Sequence, residues 1–174
     1  MKTILKFLNA FIKTLIIILI VEVFGKMYSI ILFLVDKPTT FEVHGIDFPT
    51  EWSNLNRTIF IISGSILTIF LVYLAFIFRK VITSFSRNNY FSSENVKQLT
   101  KVGKGLIFYG IGLFLLSNTK NLYLNELTSY NLGYAFGQSV HKTVPIFICS
   151  SFILLIASII KKGNILQEEN ELTI

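Results

Sequence analysis

The sequence predicts an all-α integral membrane protein with four transmembrane helices and with both termini in the cytoplasm. Hydrophobic residues make up 52% of the 174-residue chain and charged residues only 15%, whereas soluble domains carry about 25% charged residues. Charged residues are absent from long apolar runs, and most basic residues lie on one side of these runs. A chain of this length is expected to form one domain.

The first span has two alternative positions in the apolar N-terminal segment. A span over about 4–24 places Glu22 and Lys26 at the outer boundary of the membrane, whereas a span over 14–35 buries both near its middle. Because a charge inside the bilayer is costly, we favour the first position. No small-residue cleavage site follows this segment, so we expect a retained span and not a cleaved signal peptide.

The second span is the clearest of the four. The run 58–78 contains 21 residues and no charged side chain, and as a helix it would be about 31 Å long. That length matches the roughly 30 Å hydrocarbon core of a bilayer. A soluble domain of this size has no core that could surround such a helix on every face.

The third and fourth spans are predicted over about 100–123 and 144–160. The charge-free run 105–119 is short, at about 22 Å, but lysines on both sides of it can extend their ammonium groups to the membrane surface. The fourth span has Pro145 near its start, where a missing N–H is tolerated. Two lysines and a glycine follow it and favour the C-terminus of a helix.

The basic residues orient these spans. Of the 16 Lys and Arg residues, 11 lie on the side of the termini and 5 on the other side, so the positive-inside rule places both termini in the cytoplasm. The single four-helix domain then has a cytoplasmic loop at 79–99, a cytoplasmic tail at 161–174, and outer loops at 36–57 and 124–142. The excess positive charge beside the spans suits lipid headgroups, and we expect no direct nucleic-acid binding.

Four glycines of the third span are predicted to lie on two helix faces. Gly103 and Gly110 are seven residues apart, as are Gly105 and Gly112, and seven residues make nearly two helical turns. Small residues allow helix backbones to approach closely in lipid. We expect these faces to pack against the other spans, with a self-association seam as the alternative.

The candidate functional residues inside the membrane are Glu22 and Lys26. They are four residues apart, so they can pair on one helix face. An ionisable residue within a membrane suggests a function, but at the outer boundary the pair would be solvated. Metal-ligand spacing, phosphate-binding loops and nucleophile motifs are absent from the sequence. We therefore expect no catalytic residue, no metal and no cofactor.

The segment before the third span has the pattern of a helix start. Ser92 is a good N-cap, and Glu94 in the first turn suits the positive end of the helix. The segments NYFSSENVKQL (89–99) and GNILQEENELTI (163–174) resemble two elements of the YoaS-like family of small four-span bacterial membrane proteins of unknown function. Tyr90 departs from the family pattern. The matching motif positions are Phe91, Ser92, Glu94, Asn95, Leu99, Gly163, Glu168, Glu169, Leu172 and Thr173.

The resemblance implies four helices with both termini inside the cell and no known activity. It also implies a regulatory link to a helix-turn-helix protein, because such proteins are often encoded beside one. We further expect the helix start and the acidic tail to dock together. In this arrangement the tail glutamates Glu168, Glu169 and Glu171 pair with the lysines Lys97, Lys101 and Lys104.

The sequence favours a noncatalytic protein of the bacterial inner (cytoplasmic) membrane with an accessory, sensing or regulatory role. The alternative is an oligomeric ion or small-molecule pathway, lined by Glu22 or by the glycine-rich third span. A membrane enzyme is disfavoured because the spans lack a convergent set of polar residues. The expected partners are the lipid bilayer and either a second copy of the chain or another membrane protein.

Overall fold

The computed structural model describes residues 2–34, 53–123 and 129–172. Within these ranges the chain is helical apart from a short turn, and it contains no strand, which confirms the all-α class. The four helices are α1 (Lys2–Leu34), α2 (Asn54–Ser86), α3 (Ser93–Tyr123) and α4 (Ser129–Leu172). The first outer loop falls mostly outside the described residues.

Each helix is long and apolar enough to cross a membrane. The qualifying segments are Thr3–Leu32, Leu55–Ser86, Ser93–Thr119 and Phe136–Asn170. Large apolar side chains on the outward faces are well exposed in the isolated chain, for example Ile17 at 61%, Phe108 at 68% and Phe152 at 61%. A surface of this kind suits lipid tails rather than water. The prediction of four spans is therefore confirmed.

The fourth helix extends well beyond its predicted span. It contains 44 residues and is about 66 Å long, whereas a bilayer with its headgroups is about 40–45 Å thick. Its first residues occupy part of the segment 124–142, which the sequence analysis assigned to an outer loop. Its last turns continue the helix through most of the tail.

The helices pack in chain order. Close backbone approaches join α1 to α2, α2 to α3 and α3 to α4, and none joins α1 to α4 among the described residues. The start of α1, the α2–α3 turn and the end of α4 lie at one end of the molecule, which we name the terminal end. Near this end, one apolar cluster joins α2, α3 and α4 through Val81, Leu99, Ala157 and Ile160. A second cluster joins α1 to α2 through Ile12, Ile16 and Ile82.

Two glycines of α3 face α4. A Cβ atom added at Gly103 would lie 2.6 Å from Leu154 Cγ, and one at Gly110 would lie 3.1 Å from the Phe147 ring. The close approach also lets the Ser150 hydroxyl of α4 donate a 2.6 Å hydrogen bond to the Gly103 carbonyl. The absence of side chains at these positions therefore allows α4 to lie against the α3 backbone.

The other two glycines of α3 face α2. A Cβ atom at Gly112 would lie 2.6 Å from Leu67 Cδ2, and one at Gly105 would collide with the Leu74 side chain. Because the two pairs occupy different faces, α3 is the central helix between α2 and α4. Side chains of the same chain fill both faces.

A valine at Gly103 should weaken this packing. We expect Gly103→Val to lower the free energy of unfolding by about 1–3 kcal/mol, because the added methyl groups overlap the Leu154 side chain. Gly137→Val on α4 is the matched control, since a Cβ atom there meets no atom within 4 Å, and it should change stability by about 0.5 kcal/mol or less. Unfolding in mixed micelles titrated with sodium dodecyl sulfate measures both. Equal losses of stability in the two variants would contradict the close packing of Gly103 against α4.

Candidate functional site

An ion pair joins Lys26 to Glu22 on α1. The Lys26 Nζ atom lies 2.5 Å from Glu22 Oε1, and the spacing of four residues places both side chains on one helix face. Lys26 Nζ also donates a 2.6 Å hydrogen bond to Thr68 Oγ1 on α2. The Thr68 hydroxyl donates in turn to the Gly64 carbonyl at 3.0 Å. We name Glu22, Lys26 and Thr68 the intramembrane trio.

The sequence analysis expects Glu22 and Lys26 to be solvated at the outer boundary of the membrane, but the structure buries Lys26. The Lys26 side chain is 0% exposed and that of Glu22 is 33% exposed, so the expectation is wrong for Lys26. The reason is tertiary, because α2 covers this face of α1 and supplies a second hydrogen-bond partner. Burial of a charge is tolerable when the charge is paired and hydrogen-bonded.

The trio lies deep in the expected membrane region. Thr68 stands at the midpoint of the charge-free run 58–78, ten residues from either end and so about 15 Å from each. At the terminal end, Arg79 Nε donates to Asn9 Oδ1 at 3.3 Å, so position 9 of α1 is level with the end of that run. This register agrees better with a first span over 14–35 than with the favoured span over 4–24.

Further polar groups surround the trio. Tyr109 of α3 is 7% exposed and interacts electrostatically with the Glu22 carboxylate. Ser29 and Ser65 are also buried, and each hydroxyl donates to a carbonyl one turn earlier in its own helix. Sequence analysis did not identify Thr68 or Tyr109, because each stands within an otherwise apolar run where a hydroxyl is common.

The trio can hold charge and protons, but it does not resemble a nucleophilic centre. The Lys26 ammonium, which donates to both neighbours, is protonated and so has no lone pair for attack or proton abstraction. A cluster of His, Cys, Asp or Glu side chains suited to a metal ion is not found in the described residues. The arrangement is suited to joining two helices by a charge-dependent contact.

The motif at the start of α3 forms a compact turn. The Asn95 N–H donates to Ser92 Oγ at 3.2 Å, which is the N-cap that the sequence predicts. The Asn95 side chain is 2% exposed, and its amide donates to the Asn89 carbonyl at 2.7 Å and to the Tyr90 carbonyl at 3.3 Å. Asn88 has φ 63°, a left-handed conformation that asparagine tolerates well. Asn95 therefore holds the α2–α3 turn closed.

The two motif segments meet at the terminal end. The Phe91 ring occupies the position that a side chain at Gly163 would need, and Leu99 is buried against α2 and α4. The tail continues α4 as a helix. Glu94 accepts a hydrogen bond from Gln98 at 2.7 Å.

Two members of the expected tail–lysine pairing have other contacts. Glu168 accepts a hydrogen bond from Asn164 at 2.8 Å, and Lys101 Nζ lies 5.1 Å from the centre of the Tyr73 ring. The Phe91–Gly163 contact joins the two motif segments, whereas the pairing of Glu169 and Glu171 with the α3 lysines stays a prediction. Glu169 is exposed, Leu172 is the last residue of α4, and Thr173 lies outside the described residues.

These features define a multi-pass helical membrane protein. Comparison with known families identifies it further: the chain belongs to the family described as a protein of unknown function, DUF2975, whose model matches residues 42–174. The match confirms the resemblance to a small membrane protein family of unknown function, although it does not carry the YoaS name. It includes α2, α3 and α4 and leaves α1 outside. Searches of curated proteins and of solved structures found no match.

Removal of the Lys26 charge should destabilise the docking of α1. We expect Lys26→Met to lower the free energy of unfolding by about 2–4 kcal/mol, because Glu22 loses its cation in an apolar environment. The double variant Glu22→Leu/Lys26→Met should lose less than Lys26→Met alone, because it removes both charges. Lys13→Met, an exposed site on the same helix, is the control. The single variant Glu22→Leu completes the mutant cycle. A loss in the double variant equal to the sum of the two single losses, measured by detergent unfolding, would refute the pairing.

Loss of the Asn95 amide should open the α2–α3 turn. We expect Asn95→Ala to lower the free energy of unfolding by about 1–3 kcal/mol, because two carbonyl groups lose a buried donor. Asn164→Ala removes an exposed hydrogen bond by the same substitution and should change stability by about 0.5 kcal/mol or less. Thermal unfolding in micelles compares the two. Equal losses of stability in the two variants would show that Asn95 does not hold the α2–α3 turn closed.

Proposed function

We propose that the protein is a noncatalytic regulatory component of a bacterial cytoplasmic membrane, with both termini in the cytoplasm, and that the docking of α1 on α2 is its regulated step. The observation that carries this proposal is the contact of the buried Lys26 ammonium with Thr68 on the neighbouring helix. This contact links an ionisable pair to the position of a whole helix.

The packing of α1 supports a movable role for this helix. Its close backbone approaches among the described residues are to α2, and the contacts there include an aliphatic cluster and the hydrogen bonds Asn9–Arg79 and Lys26–Thr68. It also lies outside the part of the chain that the family model matches. A helix that packs against a single neighbour can exchange between two positions, and a partner that prefers one position shifts the balance.

The chemistry of the trio supports regulation over catalysis. A charge inside a membrane is stable only while its partners remain in place. Any change in the charge of Glu22 or Lys26 therefore changes the free energy of docking. A second membrane protein, or a cytoplasmic regulator such as a helix-turn-helix protein, could read the resulting position of α1.

A second candidate function is an ion or small-molecule pathway. The partial exposure of the Glu22 side chain, at 33%, favours it, because carboxylates that line pathways in membranes need access to the transported species. The regulatory proposal is preferred because Lys26 already neutralises this carboxylate.

Locking α1 in place tests the regulatory proposal. In a Cys149→Ser background, Ile12→Cys and Ile82→Cys place two thiols in one buried cluster, where oxidation can join α1 to α2. Transcript levels are measured in a deletion strain that carries the wild type, the locked variant or Lys26→Met. We expect the locked variant and Lys26→Met to shift the same transcripts in opposite directions, by several-fold, because one fixes docking and the other weakens it.

Two controls accompany this experiment. Ile12→Cys alone in the same background controls for oxidation. Purified wild type and Glu22→Gln in vesicles with an internal pH-sensitive dye should pass no more protons than empty vesicles. Proton flux by the wild type that Glu22→Gln abolishes would establish the pathway and overturn the regulatory proposal. The regulatory proposal is also rejected if transcript levels in the locked variant and in Lys26→Met both match those of the wild type.

A further inference from the structure

A basic groove lies along α2 at the terminal end. It has a volume of about 520 Å³, and its walls include Phe76, Arg79, Lys80 and Arg87. Because Arg79, Thr83 and Arg87 recur at intervals of four residues, they lie on one helix face. The intramembrane trio is not part of this groove, so the inference stands apart from the proposed function.

The positive charge of the groove is not neutralised by the described part of the chain. No carboxylate lines the groove, and no ion pair is formed by Arg79, Lys80 or Arg87 within the described residues. Lys80 and Arg87 are exposed. The Arg79 side chain is held in place by its hydrogen bond from Nε to Asn9 Oδ1. Three cations thus converge on a space that accepts an anion.

The groove lies where the membrane surface is expected. The charge-free run of α2 ends at Phe78, so Arg79 begins the headgroup layer, and Arg87 lies about 12 Å further along the axis. This distance is sufficient to cross the headgroup layer of one leaflet. The positive-inside rule predicts that this leaflet is the cytoplasmic one, where anionic lipids attract basic residues.

The lower wall of the groove is apolar. Phe76, which lines this wall, is 43% exposed and lies one turn before Lys80. Tyr73 lies outside the groove, one turn deeper in the membrane than Phe76, and is 44% exposed. An occupant that extends into the membrane therefore meets aromatic rings on the membrane side and cations on the aqueous side. A soluble anion would use only the upper half of this surface, whereas a phospholipid would use both.

We propose that this groove binds the phosphate headgroup of an anionic phospholipid, with an acyl chain along Phe76 and Tyr73. Arginine suits this role because its planar guanidinium donates two parallel hydrogen bonds to a phosphate. The cations attract the phosphate, and the aromatic rings select an amphiphile over a free phosphate. Bound lipid would also contact Arg79, which already joins α2 to α1.

The test measures lipid binding to the full chain in neutral detergent. Native mass spectrometry counts bound phosphatidylglycerol and bound phosphatidylcholine as each is titrated. The wild type should bind phosphatidylglycerol selectively, and Lys80→Gln/Arg87→Gln should weaken that binding about tenfold or more, since each basic residue near an anionic surface contributes roughly fivefold or more. Arg79 is left unchanged because it contacts Asn9.

Matched variants separate the groove from general charge. Lys161→Gln/Lys162→Gln removes two exposed cations at the same end but outside the groove, and it should keep wild-type binding. Lys80→Arg/Arg87→Lys keeps the charge and should keep the preference for phosphatidylglycerol, which separates loss of binding from loss of folding. Equal weakening in the two glutamine pairs overturns the proposal. So does equally tight binding of glycerol 3-phosphate, which carries the phosphate without the acyl chains.

Discussion

The buried ammonium of Lys26 is the constraint on which the position of α1 depends. An ammonium group in an apolar environment requires hydrogen-bond acceptors. Glu22 supplies one from the same helix, but the second comes from Thr68 on α2. This requirement sets how far α1 is displaced along α2. The Asn9–Arg79 contact and the aliphatic cluster of Ile12, Ile16 and Ile82 are the further contacts between the two helices near the terminal end.

The remaining helices are organised around the backbone of α3. Lipid tails are as apolar as leucine, so helices in a membrane gain little from hiding apolar side chains and associate through close packing. The glycines of α3 allow that packing on two faces, one toward α4 and one toward α2. At the terminal end, the turn held by Asn95 fixes α2 against α3. The Phe91 ring in this turn packs against Gly163 of α4.

Features that depend on local properties could be predicted from the sequence. Three spans follow from runs without charge and the first from the apolar N-terminal segment, and the Ser92 cap follows from the residues around it. The sequence places the start of the fourth span near Pro145, which resembles a helix-initiating proline, whereas the helix itself begins at Ser129 and continues through Pro145. Thr68 could not be identified as a partner, because its importance comes from a residue 42 positions away.

The sequence by itself determined the class of the protein, the number of its spans and the pairing of Glu22 with Lys26 along one helix. These properties depend on composition and on helical periodicity. Only the tertiary structure decided that Lys26 is buried, which helix supplies its second partner and which face of α3 meets each neighbour. The cost of burying a charge depends on the groups that surround it, and those groups are brought together only by folding.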